Sequence, residues 1–240
     1  LLAQSEQVTA KLRDVADGII AAGIIEGGKP GKRLDERYDD LADALRAAYP
    51  MDDSEPDRAH LDRIIGQGLT PTVDTGESRW KPLHWILEAP DVVHEHGGFD
   101  AIIGNPPFRG GQKISDDSGV NFRDWLVERV GRSTRGSADL VAYFFLRASE
   151  LARPENGGVG LIGTNTLAQG DTRDVGLRQI LRANATIYRA IQSAPWPRKA
   201  TVHYAAVWFT HSPVTTSVIS DGLRVKAIGA LLEPTIGEDE

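Results

Sequence analysis

The sequence predicts an α/β fold. Its sheet is doubly wound and mostly parallel, is present only in part, has an antiparallel last strand, and is preceded by a helical N-terminal segment. Three observations carry this expectation. From "WKPLHWIL" (80–87) onward, short apolar runs alternate with amphipathic stretches, as in parallel sheets flanked by helices. The last two runs, "TIYRAIQSA" and "VHYAAVWFT", are joined only by "PWPRKAT". So short a link suits an antiparallel pair, because a parallel crossover needs about a dozen residues or more. The first third carries apolar residues at helical spacing and is rich in acidic side chains.

Taken in order, Val8, Leu12, Val15, Ile19 and Ile20 place a helix over 3–25. "EGGKPGKR" (26–33) interrupts it; Gly and Lys are present but GK[ST] is not, so it reads as a linker and not a phosphate loop. Two more helices follow over 34–48 and 57–66, separated by "YPMDDSEPD". Strands are expected over 83–87, 100–104, 158–163, 185–193 and 202–210, and helices over 120–131, 138–153 and 171–183. No internal repeat is visible, and no element is recognisable after Pro213. The expected organisation is a helical segment (1–79), an α/β part (80–212), and a tail or the start of a next domain (213–240).

Composition narrows the function. The 240 residues are 40% hydrophobic, enough for a real core, yet no run approaches the roughly 18 apolar residues of a membrane span. No signal peptide or membrane partner is expected. The absence of cysteine removes disulfides, thiolate metal sites and cysteine nucleophiles, and fits a cytoplasmic protein. The chain opens on Leu1 and its one Met is Met51, so it is expected to be cut from something longer. The net charge of −7 hides an asymmetry: residues 101–212 hold 14 basic against 9 acidic side chains, and the remainder 13 against 25. A positive segment inside an acidic chain points weakly to a polyanion; Arg scattered over helix surfaces is the plain alternative.

The chemistry concentrates in "DAIIGNPPF", Asp100 to Phe108. A short apolar strand ends at Gly104, and ligands of open α/β sheets sit beyond the carboxyl ends of strands. Pro106 fixes its own φ and pushes Asn105 toward an extended conformation, and Pro107 does the same to Pro106. The product is a stiff turn rich in acceptors and poor in donors, beside an aromatic face. Such a turn suits a planar group carrying an NH₂. A rigid strand exit with no chemistry is the bland alternative.

"NPPF" after an apolar strand resembles the catalytic motif of the DNA amino-methyltransferases, [DNS]PP[YFW]. The blocks "FDAIIGNPPF", "ADLVAYFFLRASELA", "GGVGLIGTNTLAQGDTR" and "APWPRKATVHYAAVWF", in that order, resemble the methylase domains of large single-chain restriction-modification and phage-defence proteins of the adenine-modifying gamma group. The resemblance covers about residues 80–212. It implies a class I methyltransferase-like fold, S-adenosyl-L-methionine as cofactor, and DNA as partner, with an adenine flipped out of the duplex. It also implies that Asn105, Pro106, Pro107 and Phe108 are catalytic. The Asn105 side-chain oxygen and Pro106 carbonyl would accept the two amine hydrogens, and Phe108 would stack on the base. Asn105 would also touch the cofactor. Cytosine carbon-5 methylation needs a thiolate and is excluded.

Asn165, Gln169 and Arg173, in "TNTLAQGDTR", follow the next strand and could face DNA or merely bond their own loop. Trp196, Arg198 and Lys199 lie at the hairpin tip, where stacking and phosphate contacts compete with an ordinary surface turn. Asp139 opens a helix as an N-cap. His84, His94 and His96 lie close in sequence without a convincing set of metal ligands, and "GGVG" (157–160) reads as a tight turn. Two things the family carries are missing: a Gly-rich cofactor loop after a first strand, and a target-reading domain. The chain is thus expected to hold the second half of a methylase domain, to bind the cofactor weakly or not at all and not to methylate DNA alone, and to need other parts of its polypeptide or restriction or defence subunits. A non-catalytic DNA-binding or scaffold remnant, and an RNA or protein amino-methyltransferase, are the competing readings.

Overall fold

A computed structural model describes residues 2–73, 79–196 and 203–235, and divides the chain into two compact units. One comprises Leu1–Pro90 with Lys113–Arg132, the other Asp91–Gln112 with Ser133–Glu240. Among the described residues no helix is long and apolar enough to cross a membrane.

The first unit is helical: α1 (Leu2–Ile25), α2 (Lys32–Ala48), α3 (Ala59–Leu69) and the single turn α4 (Trp85–Glu88). The helices meet in a core of Ala21, Ile24, Leu41, Leu61, Ile65 and Leu69, among others. Of the α1 positions named from periodicity, Val8, Leu12 and Ile19 are exposed and Val15 and Ile20 half-buried, because α1 turns its small residues Gly18, Ala21 and Ala22 to this core instead. α1 and α3 come so close that a Cβ on Gly68 would lie 2.4 Å from the Cα of Ala21. "EGGKPG" ends α1: the N–H of Gly28 donates to Gly23 O at 2.8 Å, with Gly27 and Gly28 at φ 61° and 71°. Glycines in that region are the usual helix terminators. A polar pin joins the helices, where Asp14 accepts from Tyr49 Oη and, at 2.7 Å, from Arg58.

The strand expected over 83–87 is not formed. The segment takes the helical turn α4, with the N–H groups of Leu87 and Glu88 both donating to His84 O at 2.8 and 3.0 Å. Local bonds satisfy this backbone, Pro82 offers no N–H to a ladder, and the His84 ring bonds Asp17 at 2.7 Å.

The second unit holds the sheet, built from β1 (Ala101–Gly104), β2 (Gly158–Thr164), β3 (Thr186–Pro195), β4 (His203–Thr210), β5 (Val218–Ser220) and β6 (Leu223–Val225). Their order is β1-β2-β4-β3-β5-β6. β1 runs parallel to β2, and β3 to β5, while β4 lies antiparallel between β2 and β3 and β6 is antiparallel to β5. Four of the six strands therefore run one way, and the expected α/β class and antiparallel pair of last long strands are present. Along the chain, β1 and β2 are separated by α5 (Gly111–Ser118) and α6 (Val120–Trp125), continued by a π-turn over Leu126–Val130, which from Lys113 onward belong to the first unit, and by α7 (Leu140–Leu151) of the second. The helix expected over 171–183 is two, α8 (Gly170–Val175) and α9 (Leu177–Arg182), because Gly176 leaves helical geometry at φ −90°, ψ −93°. The residues after Pro213 are not featureless: β5 and β6 extend the sheet, and β7 (Ala227–Ile228) pairs with β8 (Pro234–Thr235). Strands of two or three residues are too short to show a period-two pattern.

Alternation along β2 buries Val159, Leu161 and Gly163, which pair across to Phe209, Val207 and Ala205 of β4. α7 covers this face, its Phe145 ring 6.2 Å from that of Phe209 with both fully buried. Each such ring contributes about 1.5–3 kcal/mol by leaving water. This packing sets the carboxyl ends of β1, β2 and β3 along one edge of the sheet.

Candidate functional site

β1 pairs only with β2, from Ala101 opposite Gly158 to Gly104 opposite Leu161, and ends where the turn Asn105-Pro106-Pro107-Phe108 begins. The run Ala101–Ile103 reads as a core strand by composition; among the described residues β1 has β2 as its one neighbour, and Ile103 is 83% exposed. Within the turn Asn105 and Pro107 are exposed, Pro106 is buried and Phe108 half-buried. The buried proline seats the turn while the amide before it faces out.

The turn is held just beyond its ring. The Arg109 N–H donates to Asp139 Oδ1 at 3.0 Å, and Arg109 O accepts from Leu140 N–H at 2.8 Å. Asp139 is the expected N-cap of α7, its Oδ1 also accepting from Val141 N–H at 3.0 Å. Its own N–H donates to Thr172 Oγ1 of α8 at 3.1 Å. Asp171 and Thr172 drew no notice in sequence; bonds spanning some thirty residues leave no local signal.

The second group of expected site residues leaves β2 at the same edge, since β2 and β1 are parallel. Asn165 opens a 3₁₀ turn over Asn165–Ala168 and is half-buried; Gln169 is exposed. Arg173 lies on α8 with its Nε donating to Asp174 Oδ1 at 2.8 Å. That hydrogen bond first, against slight desolvation, holds the Asp174 carboxyl below its ordinary value. Trp196 follows β3, also at this edge, and meets Tyr204 edge-to-face at 5.6 Å. Arg198 and Lys199 lie outside the described residues. The edge thus gathers an outward amide, a half-buried ring, a polar turn and an indole.

His84 is buried against Asp17, in the helical unit, whereas His94 is exposed on a π-turn over Asp91–Glu95 and His96 is exposed just after it. Among the described residues no three His, Asp or Glu side chains converge as metal ligands. No curated protein matches this chain. Among solved structures, the type IIL restriction-modification enzyme MmeI in complex with DNA is similar at 21% identity and a TM-score of 0.47. That match covers 56% of this chain, which in turn spans only 19% of the MmeI chain. Residues 31–194, the Asn105–Phe108 turn included, match the Eco57I restriction-modification methylase family. With more than half of its length inside that match, the chain belongs to the Eco57I restriction-modification methylases.

Proposed function

We propose that this chain carries the base-side part of the centre of an adenine-N6 DNA methyltransferase, working in a restriction-modification or phage-defence system. The observation that carries the reading is the Asn105–Phe108 turn: an outward amide, a buried proline and a half-buried ring at the carboxyl end of a strand. A duplex adenine cannot present its amine, so the base must leave the stack. Asn105 Oδ1 and the Pro106 carbonyl, which no proline N–H competes for, accept the two amine hydrogens. These bonds pull the nitrogen lone pair out of conjugation and aim it outward. Phe108 stacks on the ring, a contact worth about 1–3 kcal/mol. Fixed acceptors need no reorganisation as charge develops.

S-adenosyl-L-methionine, when bound, supplies the electrophilic methyl group. Of this chain's residues, Asn105 fits beside it, exposed where the amine must meet the methyl. The "EGGKPG" glycines do not fit a cofactor loop, because they terminate a helix and follow no strand. DNA is the partner on this reading, with Asn165, Gln169, Arg173 and Trp196 along the contacting edge and Arg198 and Lys199 as further proposed DNA contacts. The test is tritiated methyl transfer from S-adenosyl-L-methionine to mixed-sequence DNA by the full-length protein, followed by digestion to nucleosides. Label in N6-methyl-2′-deoxyadenosine supports the reading; label in N4-methyl-2′-deoxycytidine, or only in RNA or protein, overturns the adenine assignment.

A further inference from the structure

An N-cap needs one side-chain bond to its own helix, and Asp139 has it with Val141. The bond from Arg109 N–H to the same carboxylate oxygen is additional, and it reaches the residue next to Phe108. Leu140 N–H closes the pair by donating to Arg109 O, so both backbone groups of Arg109 are tied to the start of α7. Asp139 is itself held, since its N–H donates to Thr172 Oγ1, and Thr172 is 7% exposed. Two residues earlier, Ser137 N–H donates to Asp171 Oδ2 at 2.6 Å. The segments meet without slack: a Cβ on Gly111 would lie 2.5 Å from the Ser137 carbonyl carbon. Two prolines stiffen the turn from within, and this clamp fixes its far end.

We infer that Asp139 is a positioning residue for methyl transfer, setting where Asn105 and Phe108 stand by anchoring the Arg109 backbone, with Thr172 holding Asp139 in turn. This rests on the reading of the turn as the base-side seat. Transfer requires the amine and the methyl in line, and displacing the acceptors by about 1 Å can cost about 100-fold in rate. Asp139 touches neither reactant. Its effect falls on the rate of the bound complex and not on binding.

The test uses the full-length protein with Asp139→Ala, Asp139→Asn and Thr172→Val. Two readouts are followed, single-turnover methyl transfer and amide hydrogen exchange. Asp139→Ala is expected to lower the rate about tenfold or more with KM for DNA within about threefold of the parent. Asp139→Asn keeps an acceptor oxygen and recovers most of the rate. Exchange in peptides spanning 105–112 rises in Asp139→Ala and Thr172→Val, while β2 and β4 keep their protection. Unchanged turnover in Asp139→Ala, or exchange rising equally across the sheet, reduces Asp139 to an ordinary helix cap and overturns the inference. Should Asp139→Ala fail to fold, unaltered exchange over 105–112 in the isosteric Thr172→Val overturns it equally. If the parent transfers no methyl group to DNA, the functional reading fails, and exchange still decides whether Asp139 anchors the turn.

Discussion

Asn105 and Phe108 have separable duties on the proposed chemistry, and two substitutions expose the difference. Asn105 is exposed, so Asn105→Ala leaves the thermal midpoint near the parent's while methyl transfer drops by about 10²–10³-fold or more, as when a fixed polar contact to the reacting centre is lost. Unfolding of that variant, or near-normal turnover, would sink the assignment. Phe108→Ala removes stacking worth about 1–3 kcal/mol and is the milder change, and Phe108→Trp keeps part of the activity. Equal losses for Ala and Trp in steady-state assays would mean that the ring packs and does not stack on a base. This turn was legible because its information is local: two prolines dictate the path of the chain, and the amide and ring carry their chemistry wherever they stand. The duty of Asp139 was legible only as far as Val141, two residues on.

The helices obey rules that the sequence displays in part. Gly68 permits α3 to touch α1, and Gly68→Ala pushes a methyl group onto the Ala21 backbone. The expected cost is about 1–3 kcal/mol in urea unfolding followed by Trp fluorescence; a neutral effect would show that the helices can part without loss. The pin at Asp14 predicts a pH dependence. Burial pushes the Asp14 carboxyl up, but hydrogen bonds from Arg58 and Tyr49 outweigh it and leave the group below its ordinary 3.8. The Tyr49 hydroxyl is raised, by burial first and then by the Asp14 carboxylate. A carboxyl lowered on folding stabilises the native state above its unfolded pKa and loses that contribution as pH falls through the native value. Asp14→Asn should therefore shrink the stability difference between pH 5 and pH 3, measured by urea titration at both. An unchanged difference would make the pin electrostatically idle. Element type failed at 83–87, where an apolar run bracketed by Pro82 and Pro90 satisfies its backbone locally; at 171–183 the helical type held and only its continuity broke, at Gly176.

Across the whole molecule, the sheet depends on a few large side chains. Phe209→Ala removes the ring that meets Phe145 and should cost about 3–5 kcal/mol in urea unfolding; a loss below about 1 kcal/mol would place the core elsewhere. Arg173→Ala should weaken DNA binding evenly across sequences and reduce the salt slope by about one unit, as a lost phosphate contact does. An altered sequence preference at constant slope would assign Arg173 to base reading instead. The sequence by itself determined the α/β class, the helical first third, the four strands expected from residue 100 to 210, the antiparallel pair and the turn at Asn105–Phe108. Each of these is written in periodicity, in link length or in adjacent residue types. Only the tertiary structure decided that β4 inserts between β2 and β3, that short strands follow Pro213, and that Asp139 and Thr172 bond the far end of the turn. Strand order depends on which neighbour each strand pairs with, and the clamp joins residues far apart in the chain; no local pattern encodes a contact between distant segments.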